Sequence, residues 1–335
     1  VVERINMGKE ILTRALLWER QEEMPSFKEL KLKYENSEVI IKVQAAMFGK
    51  TLYRALILGH PKINPPKVLG TLLAGVTLNK KGKLKIGSRV LVNPHAIDKN
   101  GKKVCIVPGA IADIAIIKNG LPNGIFVIPN NVSFEEAVYV ELISCAIEAL
   151  EKVTGAKEVV IVGCGLMALI QIQVAMQKGF TRIICIYNHL SRKEIIEKNG
   201  AIAIKYNKNH ALLMKKIRDL LEDKRVVIID SVGTKESANL VFEMAWENSN
   251  IILFSGYPIG STCAVDLNKI HYSNIAIYGS YHFDNRIFPI ALKMIEKKEI
   301  DIKQLITGRI NWKEIDKIYA RFSDEKNISN VVVFD

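Results

Sequence analysis

The sequence predicts an α/β protein, a doubly wound parallel sheet joined to a smaller β-rich domain. Three observations carry this. A glycine turn follows an apolar strand and opens a helix between Glu158 and Ala168. Strands and helices alternate from residue 154 to about residue 280, the pattern of a parallel sheet with crossover helices. Residues 12–150 instead give short strand signals broken by turn residues.

The glycine turn is the most informative stretch. Val159, Val160, Ile161 and Val162 read as a strand buried on both faces. Gly163 and Gly165 make a tight turn, and Ala168 holds the third small position of a Gly-x-Gly-x-x-Gly/Ala pattern. From Leu166 to Gln177 the sequence reads as a helix with apolar Leu166, Leu169, Ile170, Ile172, Val174 and Ala175. A pyrophosphate reaches bare N–H groups at such a helix start, and a Cβ at Gly165 would block it. A second apolar strand, Arg182–Tyr187, follows about 20 residues on, as dinucleotide binding requires. Gly163, Gly165, Leu166 and Met167 are therefore expected to line a dinucleotide. The plainer alternative is an ordinary strand-to-helix turn.

In chain order, strands are expected at Leu12–Trp18, Phe27–Lys31, Val39–Ala46, Lys67–Leu69, Gly75–Leu78, Ser88–Asn93, Val104–Val107 and Ile111–Ile117. Gly82, Gly87, Pro94 and Gly109 break the pattern. Ser133 and Glu136 form a capping box that starts a helix carried on by Ala137–Val153. Further strands are expected at 158–162, 182–187, 202–206, 226–230, 250–254 and 275–279, and helices at 165–178, 191–198, 208–222 and 235–246. Asn285–Asp335 reads helix, strand, helix, strand, and the last strand, Asn330–Phe334, is expected to return to the first domain. Neither an internal repeat nor a low-complexity linker is present.

Composition narrows the function classes. The 335 residues suffice for two domains, and 49% hydrophobic with 24% charged residues is an ordinary globular balance. A run of about 20 apolar residues, as a membrane span needs, is missing, and Val1–Leu17 lacks a signal-peptide core. Cys105, Cys145, Cys164, Cys185 and Cys263 lie far apart with no C-x-x-C pair, which points to a reducing, cytoplasmic setting and away from a cysteine-built metal site. The net charge of +12 comes from 47 Lys+Arg against 35 Asp+Glu. Its clusters, Lys80–Lys81–Lys83–Lys85 and Lys99–Lys102–Lys103, are short and lack interleaved aromatics. They read as solvated loops, so nucleic acid is not an expected partner, and attraction for a phosphate-bearing cofactor or substrate explains the charge more simply.

Further segments carry a resemblance. Ile41–Lys42–Val43–Gln44–Ala45–Ala46, Lys85–Ile86–Gly87–Ser88–Arg89–Val90, Ile128–Pro129 through Glu136–Ala137, Asp230–Ser231–Val232–Gly233 and Ile277–Tyr278–Gly279–Ser280 recur in the order of one known layout. They are similar to segments of the medium-chain dehydrogenase/reductase superfamily, in particular its zinc-dependent polyol and alcohol dehydrogenase branch. The resemblance implies a GroES-like catalytic domain over 1–152 and 282–335 and a Rossmann domain over 153–281. It also implies a nicotinamide cofactor and a homodimer or homotetramer, for which the apolar strand Asn274–Tyr278 would suit edge pairing.

The departures from that pattern concern metal. Where the superfamily's zinc branch has a Cys-Gly-Ser/Thr-Asp segment, this chain has Phe48–Gly49–Lys50–Thr51. Where it has Gly-His-Glu, this chain has Gly70–Thr71–Leu72. Glu141 falls where the polyol branch keeps a third ligand, and one carboxylate is not a zinc site. The four-cysteine structural lobe would lie between Asn93 and Ala112, where Cys105 stands alone. Neither zinc is expected.

Without a metal, another group must stabilise an oxyanion or donate a proton. Lys50 stands where the resemblance places a proton-relay hydroxyl, and partial burial there would make its ammonium a better acid; the alternatives are a solvated lysine or a substrate-phosphate anchor. Tyr53 and Thr71 are expected to hydrogen-bond a substrate hydroxyl. Glu141 is expected to pair with Lys50 or to buttress its helix. Tyr281 and His282 follow the re-entering strand, and His282 is a candidate proton donor. His60, His95, His189, His210 and His271 show no pairing that suggests a triad or a metal site.

Cofactor choice turns on the residue ending the second nucleotide strand. NAD-binding members place Asp or Glu there. Counting back from Gly200–Ala201 puts Tyr187 at that place, followed by Asn188, Ser191 and Arg192. With no carboxylate to repel a 2′-phosphate, and Ser191 and Arg192 to bind it, NADP(H) is favoured over NAD(H). The alternative is that Arg192 and Lys193 sit on the exposed side of the next helix. Val232 and Gly256 complete the expected cofactor contacts. The expected function is a zinc-independent NAD(P)(H)-dependent oxidoreductase acting on a small polar alcohol or carbonyl compound. Alternatives are a catalytically silent nucleotide-binding protein, or a non-redox or enoyl-reducing member that reuses the pocket.

Overall fold

The computed structural model describes residues 5–6, 10–59, 63–98, 100–119, 123–222 and 225–335. Lys99, His60 and most of the start of the chain lie outside them. The chain divides into two compact units: Val1–Glu141 with Phe288–Glu296 and Ile302–Asp335, and Leu142–Ile287 with Lys297–Asp301. Both units match the expected architecture.

The second unit holds a parallel sheet of six strands: β1 (Glu158–Val162), β2 (Arg182–Tyr187), β3 (Ile202–Lys205), β4 (Val226–Asp230), β5 (Asn250–Leu253) and β6 (Ala276–Gly279). Their order is β3-β2-β1-β4-β5-β6, all parallel. Every residue of β1 and of β4 is buried, as strands covered on both faces must be. The connections are α1 (Leu166–Gln177), α2 (Lys193–Lys198), α3 (His210–Arg218), α4 (Lys235–Met244) and α5 (Leu267–Tyr272). Residues Ala168 to Ala175 of α1 are all buried, so this helix is enclosed rather than amphipathic. Helix α5 was not legible, and the helix expected at 208–222 stops at Arg218.

In the first unit, Val39–Met47 pairs antiparallel with Leu73–Thr77, Ile114–Lys118 and Asn330–Val333. The carboxyl-terminal strand does return to this unit, with Val331 opposite Met47. Two elements differ from expectation. Lys50–Leu58 is a helix, with Leu52, Tyr53, Ala55 and Leu56 toward the core and Lys50, Thr51, Arg54 and Ile57 exposed. Ile125–Val127 is a strand on Arg89–Val92. The Ser133–Glu136 capping box is present, with Glu136 N donating to Ser133 Oγ at 3.1 Å and Ser133 N donating to the Glu136 carboxylate at 2.9 Å. The helix it starts ends at Ala137, and a second runs from Val140 to Glu151.

The division falls at 141/142 and 287/288 where the sequence reading placed it at 152/153 and 281/282. Glu151 binds Lys178 at 3.0 Å and Arg286 at 2.6 Å, and Glu148 accepts from Asp284 N, which ties both segments into the second unit. Gln173 likewise holds Asp301 through both backbone groups, at 2.7 and 3.2 Å. Among the described residues, no helix is long and apolar enough to cross a membrane.

Ile161 is fully enclosed at the centre of the parallel sheet. Ile161→Ala should cost about 2–5 kcal/mol, measured as a lowered urea midpoint at unchanged m-value; a loss below about 0.5 kcal/mol would contradict this packing.

Candidate functional site

The carboxyl edge of the parallel sheet carries the glycine turn. Gly163 has φ +116°, and a Cβ there would fall 2.9 Å from Val232 Cγ2. Its N–H donates to Ile186 O at 3.0 Å, which closes the turn onto β2. Gly165 is different. It is the N-cap of α1 with an ordinary φ of −80°, and it makes no side-chain cap hydrogen bond. A Cβ at Gly165 would project into open space. The first turn of α1 thus lacks a side-chain cap beside a space that the missing side chain leaves clear, the requirement for an anion on a helix start. Leu166 and Met167 stand half-buried on that turn.

Asp230, at the end of β4, gathers the neighbouring loops. Its carboxylate is fully buried and accepts from Val232 N at 2.9 Å, Gly233 N at 3.2 Å, Ser237 Oγ at 2.8 Å and Tyr257 Oη at 2.6 Å. Burial, and then the hydrogen bond to Asp230 and its negative charge, push the Tyr257 hydroxyl well above the ordinary phenol range. Val232 is half-buried and Gly256 exposed beside this network. The sequence reading named Val232 and Gly256 and missed the carboxylate and the phenol that fix them.

At the end of β2, Tyr187 is buried and Asn188 exposed, with Asn188 Oδ1 3.6 Å from Cys164 Sγ. Ser191 is exposed. Arg192 is only 6% exposed, so it does not lie on the exposed side of the next helix with Lys193. A guanidinium keeps its charge when enclosed and needs partners there.

In the first unit Lys50 is exposed on the first turn of its helix, so the partial burial expected of it is not found. The Tyr53 ring stacks on Phe322 at 4.3 Å, within a cluster that includes Phe48 and Tyr319. Burial raises the Tyr319 hydroxyl to about 12. Thr71 is exposed in the bend before Leu73–Thr77. Glu141 pairs with His95, Nε2 to Oε1 3.2 Å, both part-buried. His210 also has partners, Glu243 at 2.6 Å and Tyr206 at 3.1 Å, on the surface of the second unit. The carboxylate partners of His95 and His210 lie too far off in sequence for spacing to show. His282, in the second unit, is half-buried with a left-handed φ of 59°, its ring 3.7 Å from that of Tyr281.

No protein-family model matches the chain. It is 25% identical over 291 residues to sorbitol dehydrogenase of Bos taurus, covering 80% of each chain. In fold it is similar to a dehydrogenase from Sinorhizobium meliloti bound to NADP, with TM-score 0.84 and 17% identity over 96% of this chain and 99% of that one. It is also similar to an alcohol dehydrogenase from Escherichia coli complexed with NADH, with TM-score 0.81 and 19% identity over 98% and 100%. The chain belongs to the medium-chain dehydrogenase/reductase superfamily.

As a member of that superfamily it departs at the zinc segments. Phe48 is fully buried among aromatic rings where a thiolate would stand, and Gly70–Thr71–Leu72 offers neither imidazole nor carboxylate. The usual donor set does not fit these residues. His95 and Glu141 bring together one nitrogen and one oxygen ligand in the first unit.

The two glycines should separate. Gly163→Ala forces a positive φ on a Cβ in contact with Val232 and should cost more than about 1 kcal/mol. Gly165→Ser should stay within about 0.5 kcal/mol of the parent. Thermal unfolding of both variants checks this, and equal losses would contradict the turn geometry.

Proposed function

We propose that this protein is a zinc-independent NAD(P)(H)-dependent oxidoreductase. Its substrate is a small polar alcohol or carbonyl compound: a sugar, a cyclitol or a related biosynthetic intermediate. The observation that carries the reading is the uncapped start of α1 at Gly165, clear of side chains at the carboxyl edge of the parallel sheet. The relationship to sorbitol dehydrogenase supports the polyol class. When bound, the nicotinamide supplies or accepts the hydride. Gly163, Gly165, Leu166 and Met167 hold the pyrophosphate; Tyr187, Asn188, Ser191 and Arg192 receive the adenosine ribose; Val232 and Gly256 lie toward the nicotinamide. Lys50, Tyr53, Thr71, Glu141 and His282 are the groups proposed for substrate and proton handling, and the His95–Glu141 pair joins them. The protein acts as a homo-oligomer, with β6, the sheet's edge strand, as the pairing edge.

NADP(H) is the preferred cofactor on this reading, because β2 ends in Tyr187 followed by Asn188, with no carboxylate at either place. NADPH should therefore raise the melting temperature more than NADH does; equal or reversed shifts would refute the preference. NADPH oxidation across ketones, aldehydes and activated alkenes tests turnover, and the loss of the usual ligands at Phe48 and Thr71 makes tight binding without turnover the competing result.

Metal content tests the zinc-free proposal directly. The purified protein should hold well under about one zinc per chain and keep its activity after chelation. Stoichiometric metal that disappears in His95→Gln would place a metal centre on the His95–Glu141 pair and end this reading.

A further inference from the structure

We infer that Tyr257 is a positioning residue for the nicotinamide half of the bound dinucleotide, held in place by Asp230. The inference rests on the dinucleotide-binding reading of the parallel sheet.

The strand order sets which loop meets which part of the ligand. In an open parallel sheet, ligands lie along the carboxyl edge at the point where the order reverses. Here the end of β2 takes the adenosine ribose and the β1 turn takes the pyrophosphate. Continuing across β4 and β5 moves away from the adenosine by about 10 Å, two strand spacings. The loops after β4 and β5 therefore lie on the nicotinamide side.

Those two loops are fastened to each other and to the glycine turn. Phe254 N and Ser255 N both donate to Asp230 O, at 3.3 and 3.2 Å. A Cβ on Gly233 would fall 2.5 Å from Gly256 O, so the backbones touch. Val232, from the same loop, packs on Gly163. Beyond Gly256 the chain turns outward: Pro258, Ile259 and Gly260 are exposed, with Ile259 at 79%. The Tyr257 hydroxyl, 2.6 Å from the enclosed Asp230 carboxylate, makes a side-chain bond that ties this outward segment to the sheet. A hydrogen bond to a buried carboxylate is among the stronger ones a neutral donor makes. Without it, the segment after Gly256 loses that tie to the sheet.

Paired probes in the full chain test this. The first is NADPH and the second 2′-phospho-ADP-ribose, the same molecule without nicotinamide; NADH and ADP-ribose replace them if the parent prefers NADH. Tyr257→Phe should weaken the dinucleotide roughly tenfold and move the fragment less than about twofold. Ser237→Ala removes a different donor from the same carboxylate. It should lower the melting temperature without opening a gap between the two probes, which separates positioning from general destabilisation. Equal losses for both probes in Tyr257→Phe, or no loss for either, would overturn the inference. A parent protein that binds neither probe would fail before any variant is compared and would remove the dinucleotide reading itself.

Discussion

A buried carboxylate governs the carboxyl edge of the parallel sheet. Asp230 has no access to solvent, and two backbone N–H groups and two hydroxyls converge on it. A carboxylate removed from water without such donors would be strongly disfavoured. The four donors come from the loop after β4, the start of α4 and the loop after β5, so satisfying Asp230 fixes all three. The Gly163 turn then packs on Val232. The arrangement is local to one unit and independent of the chemistry elsewhere in the chain.

Much of that edge was legible because its causes are local. A strand enclosed on both faces is a continuous apolar run, and β1 and β4 show it. A turn that needs a positive φ and a close approach selects glycine at 163. The helix Lys50–Leu58 lacked such signals. Gly49 caps it without a side-chain bond, its first turn has no acidic residue, and a lysine opens it against the helix dipole. Its stability comes from Leu52, Tyr53 and Leu56 packing on the core, a tertiary cause. Helix α5 has six residues, too few for periodicity to stand out.

The site residues follow the same rule. His95 and Glu141 are 46 positions apart, and a turn after one strand and the start of a helix bring them to 3.2 Å. Nothing in either neighbourhood announces the other. For Arg192 it is the exposed-surface alternative that does not hold. A charged residue beside a helix start reads as surface, yet this guanidinium is enclosed, and partners rather than polarity decide where a charge can sit. Tyr257 was unreadable because its role depends on Asp230, 27 residues earlier on another strand.

The aromatic cluster gives the departure from the superfamily's zinc pattern a physical form. Phe48 lies edge-on to Tyr319 at 5.9 Å and near Phe322, while Tyr53 stacks on Phe322. Apolar packing of this kind stabilises the segment without any ligand, whereas a thiolate at 48 would be a buried anion in need of a cation. The local fold therefore does not need a metal to hold its shape. On the zinc-independent reading proposed above, a positive charge on the substrate oxygen comes instead from donors that are polar, part-buried and preorganised. Lys50 has the charge but is exposed, where water weakens it. His95 is part-buried, and the Glu141 carboxylate 3.2 Å from its Nε2 fixes its ring. Within that proposed reading, a part-buried and oriented imidazole is the stronger candidate to act on an oxygen than an exposed ammonium.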